Sequence, residues 1–220
     1  MTEIPTFTAL SKDAYFELLL RRMRGEEPEL TWLAQFRELL AERVRPGQTL
    51  LDVGCATGYA ARALAPLSLD YLGVDAEPAY LAAANDWFAG APRTAFALHD
   101  ITAAPVTPVR DVVICCAMLE HCAAARPALD NLARSCRETL VLRTFMGQTE
   151  ELVSIPSPNP AHAAIHRKPV NQYAFGELLA VLDAYGFNSM ILRDRYTDST
   201  PRWVDGQVRT FYVLLASRRE

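Results

Sequence analysis

The chain predicts an α/β fold: one domain with a mostly parallel sheet covered by helices on both faces. From Thr49 onward, short and almost wholly apolar runs alternate with helix-length segments. Strands of that composition are buried on both sides, as crossover helices make them. The first run, Leu50-Leu51-Asp52-Val53, leads straight into Gly54 and Gly58, and a helix-forming string comes next. Strand, tight glycine loop and helix form the opening unit of a nucleotide-type fold. The 220 residues fit a single domain with a real core.

Before the first strand, a helix is expected over 12–24, closed by Gly25, with Tyr15, Leu18, Leu19 and Met23 on one face. A second begins near Pro28, carries the stripe Leu33, Phe36, Leu40, Val44, and stops at Pro46-Gly47. Residues 1–47 thus read as helices that pack on, or form a lid over, a core of 48–220. In that core the strands are expected at 49–53, 70–75, 94–98, 111–116 and 139–143. Helices are expected at 58–66, 77–88 and 124–135. The rhythm breaks in a long loop, 145–171, holding Pro156, Pro158, Pro160, Pro169, His162, His166, Arg167 and Lys168; loops of that length are functional or disordered. A helix over 173–185 ends at Gly186. Strands at 188–193 and 208–217 complete the chain. No helical stripe lies between them, so an antiparallel pair is expected.

Composition excludes several classes. Half the residues are hydrophobic, 22% are charged and the net charge is −4, which speaks against a duplex-DNA binder. No apolar run reaches the roughly 18 residues that span a membrane, and residues 1–12 lack the pattern of a secretory leader. The five cysteines are odd in number and include no Cys-x-x-Cys pair. Reduced thiols in a cytoplasmic protein are expected.

Three acids, Asp52, Asp75 and Asp100, end successive strands, at the edge where open parallel sheets bind ligands. Each also reads, singly, as the cap of the next helix. An acid about 20 residues after a glycine loop also grips the ribose of NAD. Asp52, however, would repel a pyrophosphate. Three acids around one loop suit an adenosine ligand with a cationic end, and S-adenosylmethionine has that character.

The run Leu50-Leu51-Asp52-Val53-Gly54-Cys55-Ala56-Thr57-Gly58 resembles the first motif of class I S-adenosylmethionine-dependent methyltransferases. The likeness continues through Leu72-Gly73-Val74-Asp75, His99-Asp100-Ile101 and Asp111-Val112-Val113, to Met118-Leu119-Glu120-His121, and covers about residues 48–217. It implies a Rossmann-like, seven-stranded sheet with an antiparallel last strand. It also implies that Asp52 holds the methionine amine and that the backbone at Gly54, Cys55 and Gly58 approaches the methionine and ribose. Asp75 with Ala76 would take the ribose hydroxyls, Asp100 with Ile101 the adenine, and Cys116 and Ala117 would lie against the methionine end. Ala56 stands where many members have a middle glycine.

The Met118–His121 stretch is most similar to the small-molecule branch that includes ubiquinone-pathway O-methyltransferases. Those carry Glu-x-x-Glu-His, able to hold a metal; Ala117 replaces the first glutamate here, so no metal is expected. The resemblance implies methyl transfer to a small-molecule acceptor, foremost a hydroxyl oxygen, with no nucleic-acid or membrane partner. His121 and His166 are the candidate bases, each also readable as structural. Two other readings stand beside this one: a cofactor-binding module without turnover, and a nicotinamide oxidoreductase. The second is disfavoured by Asp52 and by the missing Gly-x-Gly-x-x-Gly. The acceptor and the oligomeric state are not legible.

Overall fold

The computed structural model describes residues 12–123, 125–156 and 167–219. Two helices, α1 (Lys12–Arg24) and α2 (Thr31–Ala41), precede β1 (Thr49–Val53), α3 (Tyr59–Leu64), β2 (Asp70–Asp75), α4 (Pro78–Trp87), β3 (Thr94–Leu98) and β4 (Arg110–Cys116). A 3-10 turn (Leu119–His121) leads to α5 (Ala125–Ser135) and β5 (Cys136–Gly147). Then come β6 (Ser154–Pro156), β7 (Arg167–Pro169), β8 (Tyr173–Ala174), α6 (Phe175–Ala184), β9 (Phe187–Arg193), β10 (Arg202–Val204), β11 (Gln207–Arg209) and β12 (Phe211–Arg218).

The main sheet runs in the order β3-β2-β1-β4-β5-β12-β9, with β8 pairing the end of β5. From β3 to β5 all pairs are parallel. The last strand, β12, is antiparallel to both β5 and β9, as the sequence led us to expect. Alternating residues feed two cores. On one face Leu50, Ile114 and Val213 pack with Phe36 and Leu40 of α2 and with Leu64 of α3. On the other, Leu51, Val113 and Leu214 pack with Leu132 of α5 and Leu182 of α6. Each such side chain contributes about 1.5–3 kcal/mol on burial, so the central strands are clamped from both sides. Strand order reverses between β1 and β4, which opens a crevice at their carboxyl ends.

Three expectations are corrected. The fifth strand does not stop at 143; it continues to Gly147, because Phe145 pairs with Phe211 of β12 and their rings lie 4.2 Å apart. The long loop contains β6 and β7, paired antiparallel. The expected strand 208–217 is two strands: β11 turns back on β10, and β12 starts afresh at Phe211. That hairpin closes on Asp205-Gly206, both left-handed at φ 52° and 77°. Asp-Gly is a strong two-residue hairpin signal, present in a stretch that looked featureless.

Candidate functional site

The crevice is built first by the loop after β1. Gly54, Ala56 and Gly58 all have positive φ (76°, 48° and 77°), a conformation that costs glycine little. Gly54 N and Cys55 N both donate to Val74 O, at 2.8 and 3.1 Å, which fastens the loop to β2. A side chain at Gly58 would lie 2.5 Å from ring atoms of Phe96. Glycine is therefore required there by space as well as by φ.

Asp75, at the end of β2, closes the loop from the other side. Its Oδ2 accepts from Ala56 N and its Oδ1 from Glu77 N, each at 2.9 Å. Burial raises its pKa while those backbone donors oppose the rise. Asp52 is buried (4% exposed) and accepts the Tyr71 hydroxyl at 2.5 Å. Burial pushes its pKa up to about 7, the Tyr71 hydrogen bond opposes that, and the charge of Asp75 adds to it. Neither acid has an ion-pair partner among the described residues. Two acids around one loop, one of them driven towards neutrality, are a place for a cation.

Cys55 is buried with its thiol against Ala56 O, and burial raises its pKa. Ala76 is exposed beside Asp75. At the end of β3, Asp100 is exposed and uses Oδ1 to accept from Thr102 N and Thr102 Oγ1 (2.8 and 2.7 Å), bonds that lower its pKa. The capping alternative thus describes one of its oxygens. Ile101 is buried, and its carbonyl accepts from Asn131 Nδ2 at 2.8 Å. After β4, Cys116 is half-buried, and Ala117 takes φ 52° while its N–H bonds Arg143 O at 2.8 Å.

The helix α1 packs against the loop after β1 and against α4. Thr57 Oγ1 donates to Leu19 O at 3.0 Å, and Phe16 stacks on Tyr80 of α4 with centroids 5.6 Å apart. The Tyr15 phenol, its pKa raised by burial, feels Arg22, Cys116, Asp75 and Glu120 together.

Beyond β4, Glu120 is fully buried, with Oε2 accepting Thr144 Oγ1 at 2.8 Å and burial raising its pKa to about 7. His121 Nδ1 lies 2.9 Å from Pro169 O. A carbonyl only accepts, so Nδ1 carries the proton and Nε2 the lone pair. Burial, then the Lys168 charge, lower its pKa to about 3, and the ring is neutral at physiological pH. Among the described residues no group of His, Cys, Asp and Glu could hold a metal ion. His162 and His166 lie outside the described residues.

Sequence reasoning missed Tyr71 and Thr144. Tyr71 depends on strand register: Leu50 pairs with Tyr71, and the two-residue pleat then puts Asp52 and Tyr71 on one face. Thr144 needed the longer β5.

Residues 51–139 match a family described as a methyltransferase domain. No curated protein matches the chain by sequence. Among solved structures, a TehB-like SAM-dependent methyltransferase from Corynebacterium glutamicum is similar at 18% identity, over 94% of this chain and 100% of that one, with a TM-score of 0.61. Magnesium protoporphyrin IX methyltransferase from Synechocystis PCC 6803, solved with bound SAH, is similar at 17% identity over 96% and 89%, with a TM-score of 0.59. The [4+2]-cyclase SpnF is similar at 18% identity over 84% and 80%, also at 0.59.

Proposed function

For a chain that carries a methyltransferase domain of the class I, S-adenosylmethionine-dependent fold, we propose transfer of a methyl group to a hydroxyl oxygen of a small-molecule acceptor. The carrying observation is the pair Asp52 and Asp75 around one glycine loop, without a cation of the chain's own among the described residues. A ligand with a sulfonium and an ammonium supplies what those acids lack. When bound, S-adenosylmethionine provides an activated methyl group on a positively charged sulfur.

The chain's own residues bind, orient and exclude water. Asp52 holds the ammonium. The backbone of Gly54, Cys55 and Gly58 lies along the methionine and ribose, Asp75 and Ala76 receive the ribose hydroxyls, and Asp100 with Ile101 meets the adenine. Cys116 and Ala117 border the methionine end. α1 roofs the crevice through Leu19 and Phe16, which favours small acceptors and a dry reaction, and alignment in such a site supplies much of the rate. His121, with its Nδ1–H directed to Pro169 O, is one candidate base for the acceptor's hydroxyl, and His166 is the other. The cysteines are free thiols, in keeping with a cytoplasmic place. No helix among the described residues is long and apolar enough to cross a membrane.

A module that binds the cofactor without methyl transfer is the second reading, favoured by one observation: a [4+2]-cyclase shares the fold. Calorimetry tests the first premise. S-adenosylhomocysteine is expected to bind and NAD is not; absence of S-adenosylhomocysteine binding overturns both readings. Release of S-adenosylhomocysteine in the presence of hydroxyl compounds then separates the enzyme from the module.

A further inference from the structure

Resting on the methyltransferase reading, we propose that Glu120 is a catalytic carboxylate that takes the hydrogen bond, and during transfer the proton, of the acceptor's hydroxyl, and that the acceptor is uncharged. Glu120 is 0% exposed, in the turn directly beyond β4. Oε2 is held by Thr144 Oγ1 at 2.8 Å, and the backbone carbonyl by Asn171 N at 2.9 Å. Oε1 is buried and has no hydrogen-bond partner. A buried acceptor left without a donor costs about 1–3 kcal/mol, and more if charged. A rigid carboxyl with one unfilled oxygen is a site completed by a ligand's O–H.

The surroundings specify which ligand. Tyr15 from α1, Cys115 and Cys116 from β4, Cys122 after the turn, Arg143 from β5, Lys168 from β7 and Tyr173 from β8 all feel the Glu120 charge. The Arg143 guanidinium is closed on Asp194 by two bonds of 2.9 and 3.0 Å. Lys168 feels both Glu120 and Asp205. Arg209 bonds Glu151 at 2.8 Å. Each of these cations has an acid, so the cluster has little net charge with which to hold an ion. Asp205, whose charge Lys168 also feels, has a second buried acceptor without a hydrogen-bond partner, Oδ2. Such acceptors are completed by a hydroxyl group, which gives its hydrogen and can also receive one. Between the two proton acceptors beyond β4, Glu120 with a pKa near 7 is matched to physiological pH, and His121 near 3 is not.

The step balances. The acceptor oxygen's lone pair forms the new O–C bond as the C–S bond breaks, and sulfur keeps that electron pair and becomes an uncharged thioether. The oxygen's proton moves to Glu120 Oε1 and leaves to solvent with the product. One positive charge on sulfur is thereby exchanged for one proton on the carboxylate.

The test uses protein saturated with S-adenosylhomocysteine and titrated calorimetrically with phenol and with anisole, which lacks the O–H. The wild type should prefer phenol by about tenfold at pH 8, on the scale of one charged hydrogen bond. The preference should fall as pH drops below 7. Glu120→Gln, nearly isosteric and able to keep the Thr144 bond, should remove most of the preference and its pH dependence, with S-adenosylhomocysteine affinity unchanged. Thr144→Val should reduce the preference partly. Equal affinities in the wild type, or a preference intact in Glu120→Gln, overturn the role of Glu120. Wild-type protein that fails to bind S-adenosylhomocysteine overturns instead the methyltransferase reading on which it rests.

Discussion

Replacing Asp52 by asparagine should make the protein more stable at neutral pH and worse at its job. In the fold the Asp52 carboxyl is pushed from an ordinary 3.8 to about 7, chiefly by burial. A raised acid binds its proton more tightly folded than unfolded, so stability is greatest below the unfolded value and falls as pH climbs towards the folded one. Roughly three units at about 1.4 kcal/mol each give about 4 kcal/mol, lost between about pH 4 and pH 7. Asparagine keeps an oxygen for the Tyr71 hydroxyl and never ionises. Urea unfolding at pH 4.5, 6 and 8 should show Asp52→Asn close to wild type at the lowest pH and more stable by up to about 4 kcal/mol at the highest. Glu120, also raised to about 7, adds a slope of the same sign to both proteins, so the difference between them is the quantity to read. A difference that does not change with pH, or a variant less stable at pH 8, would refute the assignment. Ligand binding gives the companion measurement. The ammonium of S-adenosylhomocysteine should draw the Asp52 pKa down, so wild-type binding near pH 6.5 should release protons, detectable in buffers of different ionisation enthalpy, and Asp52→Asn should release fewer.

The other expectations are simpler. Asp75→Ala removes the acceptor for Ala56 N and Glu77 N as well as the proposed ribose anchor, and should weaken S-adenosylhomocysteine binding several-fold or more by calorimetry; unchanged affinity would mean that Asp75 is not at the ligand. Gly58→Ala sets a methyl 2.5 Å from the Phe96 ring at φ 77°, and should cost about 1–3 kcal/mol in urea unfolding. Arg143→Ala strands Asp194 in the interior and should cost about 3–5 kcal/mol by the same assay.

The legible part of the fold was the part made by periodicity. Strands β1 to β4 are short, largely apolar runs that stop at Gly54, Asp75, His99 and Cys116, and the hydrophobic pattern fixes them. β5 was legible only in its first half, because its extension to Gly147 depends on pairing with Phe211, a partner 66 positions away from Phe145 in the chain. The hairpins at 154–169 and 202–209 were missed, since their strands have three residues each and show no period. In the crevice, acids and glycines announced themselves by type and spacing. Tyr71 and Thr144 did not, because a residue that satisfies another's carboxylate has no spacing rule. The unfilled oxygen of Glu120 is invisible to any motif: it is a property of what surrounds the carboxyl.

Among the described residues, the two small hairpins, β6–β7 and β10–β11, belong to neither main core and pair only within themselves. Under the proposed function they bring Lys168, Asp205 and Arg209 to the acceptor side, while the residues proposed to hold the cofactor come from one continuous run between Asp52 and Ala117. On that reading, changes in the hairpins redraw the choice of acceptor while the strands of the main sheet and the proposed methyl-donor side stay as they are.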